Sequence, residues 1–377
     1  MTAPASTFTY SFTEEQEQFR DAVRRFLVRH SPTAEVRRLM DTETGFDPEV
    51  WMRMCSDLGL SAIAIPEAHG GAGFSLVELG IVMEESGRTL LCAPYFSSAV
   101  LATRAILHAG SAADRDRLLP GLAAGTRRGT LACSETDRGP APGSLQMRAE
   151  GADHRLNGTK TFVVDGLSAD FFVVVARRGD ALGLYTVDAD APGVSRHLLT
   201  TMDSTRKLAE VHFDNVPALP LGDAGSDSTP ALSATLDDAA IALAHEMVGG
   251  AQVLLESAVA YAGRRVQFGR TIGSFQAIKH KCADMLLDVE SARSAAYYAA
   301  EASAAGDPET PALACLAKAA AADAYVRAAI DTIQIHGGLG FTWENDTHLW
   351  FKRAKSSEVL LGTPDYHREL MLQRWGH

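Results

Sequence analysis

The chain has 377 residues, 46% of them hydrophobic and 22% charged, which allows two or three packed units around a large core. Its formal net charge of −12 argues against a nucleic-acid partner, which needs clustered Lys and Arg, yet leaves room for an anionic cofactor held by a few local donors. Five scattered cysteines (Cys55, Cys92, Cys133, Cys282 and Cys315) form no CxxC pair and the His residues show no metal-ligand spacing, so reduced thiols and no metal are expected. The opening Met1–Ser6 lacks the basic and apolar regions of a signal peptide, and no window is apolar enough to cross a bilayer. A cytoplasmic chain without a membrane partner is expected.

Thr13-Glu14-Glu15-Gln16 is a capping box, followed by Phe19, Val23, Phe26 and Leu27 at helical spacing. Asp47-Pro48 opens a second helix, and Ser75-Leu76-Val77-Glu78 caps another that runs to about Gly87. Residues 1–128 therefore read as a helical domain. From Gly129 the texture changes. Thr130 to Cys133 is extended, Asn157-Gly158 predicts a hairpin turn, and Phe162-Val163-Val164, Phe171 to Val175, Leu184 to Val187 and Val211 to Phe213 are short β runs between turn residues. Residues 129–227 read as a small β-domain. Over 228–377 the pattern is helical again, with segments near Leu232 to Arg264, Phe275 to Ala304 and Pro311 to His336 and a last helix after Asp346. Helices this long and apolar bury faces against each other as a bundle.

Several stretches resemble the acyl-CoA dehydrogenase family: Ile65 to Gly73 with Glu78 and Glu84-Glu85, Leu156 to Lys160, Arg265-Val266-Gln267-Phe268-Gly269 running on to Phe275-Gln276, and Gln334 to Thr342. The resemblance covers essentially the whole chain. It implies an α+β fold with an N-terminal helical domain, a middle β-barrel and a C-terminal four-helix bundle, and FAD as cofactor. In that family the last two segments reach across a subunit interface to the adenosine and pyrophosphate end of a partner's FAD, which assigns that role to Arg265, Phe268, Gln276, Gln334, Gly337 and Gly338. The chemistry suits the assignment, since Arg offers a forked donor to pyrophosphate and glycines let backbone N–H groups approach a bulky ligand. Taken singly, Arg265 reads first as a solvated helix charge, the glycine pair as a helix C-terminus and Phe268 as core; taken together, they read as the cofactor grip.

The resemblance also implies an own flavin pocket with Ser134, Val164 and Thr363, and here the pattern departs. The family's Tyr-Glu-Gly-Thr reads Leu360-Leu361-Gly362-Thr363, and the alternative base position aligns with Ala239, followed by Ala240. Neither Leu361 nor Ala239 can take the α proton of a thioester, a task for a buried carboxylate with a raised pKa. The family's Trp-x-Thr reads Phe162-Val163-Val164, so the hydroxyl near flavin N5 is missing, and Ser134-Glu135-Thr136-Asp137-Arg138-Gly139 keeps little of the preceding loop. Glu358, Asp365 and Glu246 are the stand-in carboxylates to weigh, although such residues are usually solvated.

Similar to the α2β2 actinobacterial steroid-catabolic members, the chain is expected to be a non-base subunit that helps bind FAD for desaturation of an acyl-CoA, with an electron-transfer flavoprotein as acceptor. A self-sufficient, homo-oligomeric flavoenzyme with a relocated base and a flavin-free structural partner are the alternatives.

Overall fold

The computed structural model describes residues 12–136 and 145–376. Met1 to Ser6 and the loop residues Asp137, Arg138 and Gly139 lie outside the described residues.

The N-terminal helices form where their caps are written. Thr13 and Gln16 close a capping box on α1 (Glu14–His30), whose buried face carries Val23 and Leu27. Pro32 precedes α2 (Thr33–Met40). The Asp47 carboxylate accepts from the Glu49 and Val50 N–H groups to start α3 (Pro48–Leu58), which stops at Gly59 with φ +63°. Ser75 and Glu78 cap α4 (Leu76–Arg88), buried over nearly its whole length. A π-helical turn at Phe96–Ala102, without a sequence signal, runs into α5 (Thr103–Ala109), and Ser111 with Asp114 caps α6 (Ala112–Ala123).

Among the described residues eight strands follow: β1 (Gly129–Ala132), β2 (Arg148–Glu150), β3 (Arg155–Val164), β4 (Phe171–Arg178), β5 (Ala181–Asp188), β6 (Val194–Leu198), β7 (Leu208–Val216) and β8 (Leu219–Pro220). Their order in the half-barrel sheet is β6-β7-β3-β2-β4-β5-β8, with β1 parallel to β4. β4 is apolar on both faces because both are covered. Phe172, Val174 and Ala176 fill the core of the half-barrel, while Phe171, Val173 and Val175 join the core shared with the helices. The expected Asn157-Gly158 hairpin turn is corrected: both residues lie inside β3. Gly158 at φ +135° takes up a register shift against β7, and the Asn157 side chain accepts from the Asn215 N–H (2.8 Å). The pair marks a bulge, a use of glycine that a two-residue signal does not separate from a turn.

The C-terminal helical domain is α7 (Thr229–Arg264), the hairpin β9 (Val266–Gln267) and β10 (Arg270–Thr271), α8 (Gln276–Ala305), α9 (Thr310–His336), α10 (Thr347–Val359) and α11 (Pro364–Arg374). The single helix expected after Asp346 is two, because Gly362 at φ +113° and Pro364 break it. Both pieces pack against α9. Among the described residues no helix is long and apolar enough to cross a membrane, and no group of three side chains is placed to hold a metal ion.

α4 and α7 cross at a contact only glycine permits. A Cβ on Gly87 would stand 1.9 Å from the Glu246 carbonyl oxygen, and one on Gly249 would stand 1.9 Å from that of Glu84. Gly249→Ala is expected to destabilise the chain by about 1–3 kcal/mol or more. Gly263→Ala, with open space around its Cβ, is expected to stabilise it by about 0.5–1 kcal/mol. Thermal and denaturant unfolding of both variants checks the opposite signs.

Candidate functional site

Between the half-barrel and the helices lies a cavity of about 460 Å³. Leu131, Val164, Leu208, Leu236, Leu360 and Leu361 give it apolar walls, and Ser134, Thr136, Thr161 and Lys355 add polar groups. Ser134 is held there by Lys160, a fully buried side chain of β3 whose ammonium donates to the Cys133 carbonyl (3.0 Å) and to Glu135 (2.6 Å). Glu135 also accepts from the Gln146 and Met147 N–H groups (2.7 and 3.0 Å). Burial pushes its carboxyl up, but Lys160 and these N–H groups hold it below its ordinary pKa. Val164 reaches the wall past a second bulge in β3, between Lys160 and Val163, where Phe162 has φ +54°.

Of the sequence-assigned residues, Ser134, Val164 and Leu361 come together in this wall. Thr363 does not line the cavity; it is exposed and its hydroxyl accepts from the Tyr366 N–H (3.3 Å) to cap α11. Ala239 and Ala240 are buried in the α7 core, and Leu236 is that helix's contribution to the wall.

The stand-in carboxylates are committed elsewhere. Asp365 is 95% exposed and paired with Arg368, and Glu358 is paired with Lys355. Glu246 is buried in an ion-pair lattice. Its Oε1 accepts from Arg206 and from Arg353, each at 2.6 Å. Arg353 also donates to Asp203 (2.9 Å) and to Thr205 (2.7 Å), and Arg206 donates to Ser357 (3.0 Å). Burial pushes Glu246 up, but the two guanidinium charges outweigh it and hold its pKa below the ordinary value. Asp203 lines the cavity, with one carboxylate oxygen on Arg353 and the other accepting from the Thr205 N–H (3.0 Å). A small cavity of about 30 Å³ sits beside this lattice, lined by Asp165 together with Val164. Burial pushes the Asp165 carboxyl up to about 6, against the Ser97 hydroxyl bond (2.7 Å) and the Arg206 and Arg353 charges. Sequence reasoning missed Asp165 because Asp165-Gly166 reads as a turn.

The other assigned residues gather at one end of the helical domain. Arg265 ends α7, Phe268 sits in the β9–β10 turn at φ +50° and is 91% exposed, and Gln276 opens α8. Tyr261 stacks on His336 (centroids 4.2 Å apart), so the C-terminal ends of α7 and α9 meet, and Gln334, Gly337 and Gly338 share this face. Arg37 of α2 braces the next segment, bonding Asp346 (3.0 and 2.8 Å) and the Trp343 carbonyl (2.7 Å). Arg265, Gln276, Gln334, Gly337 and Gly338 are all exposed, and the space about a Cβ built on either glycine is open. An outward guanidinium, two amides and approachable backbone suit the anionic end of a dinucleotide.

Models of the acyl-CoA dehydrogenase N-terminal, middle and C-terminal domains match residues 13–126, 130–216 and 229–376. The chain is 35% identical to the acyl-CoA dehydrogenase IpdE2 of Mycobacterium tuberculosis over 364 residues, covering 96% of this chain and 98% of the relative. Among solved structures it is similar to a variant of the Tcur3481-Tcur3483 steroid ACAD (32% identity, TM-score 0.87, 96% and 98% coverage). It is also similar to the ChsE4-ChsE5 complex of Mycobacterium tuberculosis (28% identity, TM-score 0.89, 98% and 99% coverage).

Glu246→Gln leaves two buried guanidinium groups short of a counter-charge, so a loss of about 3–5 kcal/mol is expected, while Asp365→Asn and Glu358→Gln should change stability by no more than about 1 kcal/mol. Because the folded pKa of Glu246 is depressed, its contribution is present above about pH 4.3 and is lost as pH falls through the folded value. Denaturant unfolding between pH 3 and 7 should show a smaller acid-linked loss in Glu246→Gln than in the parent, the difference being the share of Glu246.

Proposed function

Because the chain belongs to the acyl-CoA dehydrogenase family, whose three domain models span it almost end to end, we propose that it is the base-lacking subunit of a heteromeric FAD-dependent acyl-CoA dehydrogenase. The observation that carries this reading is a contrast. Arg265, Gln276, Gln334, Gly337 and Gly338 face outward from one end of the helices, whereas the chain's own cavity presents Leu361, Val164 and Leu236. The similarity to two-chain proteins, Tcur3481-Tcur3483 and ChsE4-ChsE5, supports a second, different subunit. That the first of these is a steroid ACAD supports a ring-bearing CoA thioester as substrate.

In this reading Arg265 offsets pyrophosphate charge on a neighbouring subunit's cofactor, Gly337 and Gly338 present N–H groups to it, and Gln334, Gln276 and Phe268 hold its nucleotide end. When bound, FAD would supply the acceptor for the hydride leaving the β carbon, with an electron-transfer flavoprotein as the expected acceptor partner. Facing the thioester, Leu236, Leu360 and Leu361 exclude water and hold the acyl group, Ser134 offers a hydroxyl, and Val164 offers none. Deprotonation at the α carbon falls to the partner subunit. Asp203, the carboxylate in the wall, has both oxygens engaged. A self-sufficient enzyme with a relocated base is disfavoured because Glu246, Glu358 and Asp365 are each paired elsewhere.

The test is to purify the chain alone and together with a base-bearing acyl-CoA dehydrogenase, then measure flavin absorbance and dehydrogenation. Alone, the chain should carry little FAD and turn over about 10²–10⁴-fold more slowly than the pair, the usual contribution of a general base. A bright yellow chain with full turnover by itself overturns the reading, and a pair that is active without flavin bound at their interface favours a purely structural role.

A further inference from the structure

The wall residue Leu361 holds a backbone conformation that side chains avoid, with φ +62°, at the end of α10. Three carbonyls of this turn are gripped from beneath. Lys318, fully buried in the alanine-rich α9, donates from Nζ to the Glu358 carbonyl (2.7 Å) and to the Gly362 carbonyl. The His367 imidazole of α11 lies 3.1 Å from the Leu361 carbonyl, so Nε2 carries the hydrogen and donates. We propose that Lys318 is the positioning residue of the cavity wall: with His367 it fixes the Leu360–Gly362 turn, holds Leu361 against the cavity and so sets the shape of the acyl site. Only the last clause rests on the proposed acyl-CoA function.

The charges around Lys318 leave carbonyls as its partners. Asp323, on α9 itself, pairs with Arg368 of α11, and Glu358 of α10 pairs with Lys355. His367 stays neutral, since burial and then the Lys318 charge push its pKa down to about 4. Burial lowers Lys318 from 10.5 to about 7, against the pull of Glu358 and Asp323. A turn that opens returns Lys318 to water and to its ordinary pKa, so the open form binds a proton that the closed form lacks. Opening is therefore suppressed as pH rises from about 7 towards 10, by up to about tenfold per pH unit.

Amide hydrogen exchange on the full chain, without flavin or thioester, reads this directly. After correction for intrinsic rates, the peptide covering residues 359–367 should exchange at least about tenfold more slowly at pH 9 than at pH 7, while a peptide from the middle of α8 shows no such change. Lys318→Met should abolish the pH dependence and speed exchange of the turn, and Lys318→Arg, permanently charged, should also be pH-flat. Flat protection in the parent chain, or a Lys318→Met turn as protected as the parent's, overturns the assignment. The parent pH series decides even if the variant does not fold. In the assembled enzyme acting on a steroid-ring CoA thioester, Lys318→Met should raise KM with kcat unchanged. An unchanged KM beside altered exchange leaves Lys318 as the holder of the turn and counts against the cavity as the acyl site.

Discussion

The buried lattice of Arg206, Arg353, Glu246 and Asp203 ties together segments far apart in the chain. Asp203 and Arg206 belong to the β6–β7 connection, Glu246 to α7 and Arg353 to α10. Two guanidinium groups face two carboxylates, so the lattice is balanced, and such a set tolerates burial only while every member is present. It seats the β-domain on the helical domain and closes one side of the cavity through Asp203. It also fixes the helix whose end carries Leu361. Glu246 is thereby consumed by architecture and is not available for proton transfer.

Around that anchor the molecule divides its polar groups sharply. Inside, the cavity presents Leu236, Leu360 and Leu361, and Lys160 with Glu135 hold the loop that brings in the Ser134 hydroxyl. Outside, the ends of α7 and α9 display a guanidinium, side-chain amides and glycine backbone, beside the exposed rings of Phe268 and Phe341 (91% and 83%). A chain acting alone gains nothing from desolvating an aliphatic pocket while leaving apolar rings in water. The arrangement fits the proposed composite site, of which this chain would supply one half.

Much of the fold was legible because its signals are local. The capping boxes at Thr13 and Ser75, the Asp47-Pro48 start and the long apolar helices depend on residues three or four apart. Asn157-Gly158 misled because a bulge and a turn need the same glycine, and the partner that decides, β7, lies some fifty residues on. The break after α10 rests on Gly362 and Pro364, local signals that the expectation of a single helix passed over, whereas the π-helical turn at Phe96–Ala102 has no sequence signal. In the site, Leu361 and Val164 were readable as substitutions in a familiar pattern. The capture of Glu246 and the buried reach of Lys318 were not, since each depends on a residue distant in sequence.

The most direct measurement follows solvent deuterium into the α carbon of a CoA thioester by mass spectrometry, with this chain held at saturating FAD and thioester. No incorporation above the rate in buffer is expected from this chain, whatever the pH between 6 and 8. Exchange that is fast and disappears on neutralising Glu246, Glu358, Asp365, Asp203 or Asp165 would show a resident base and contradict the composite-site view.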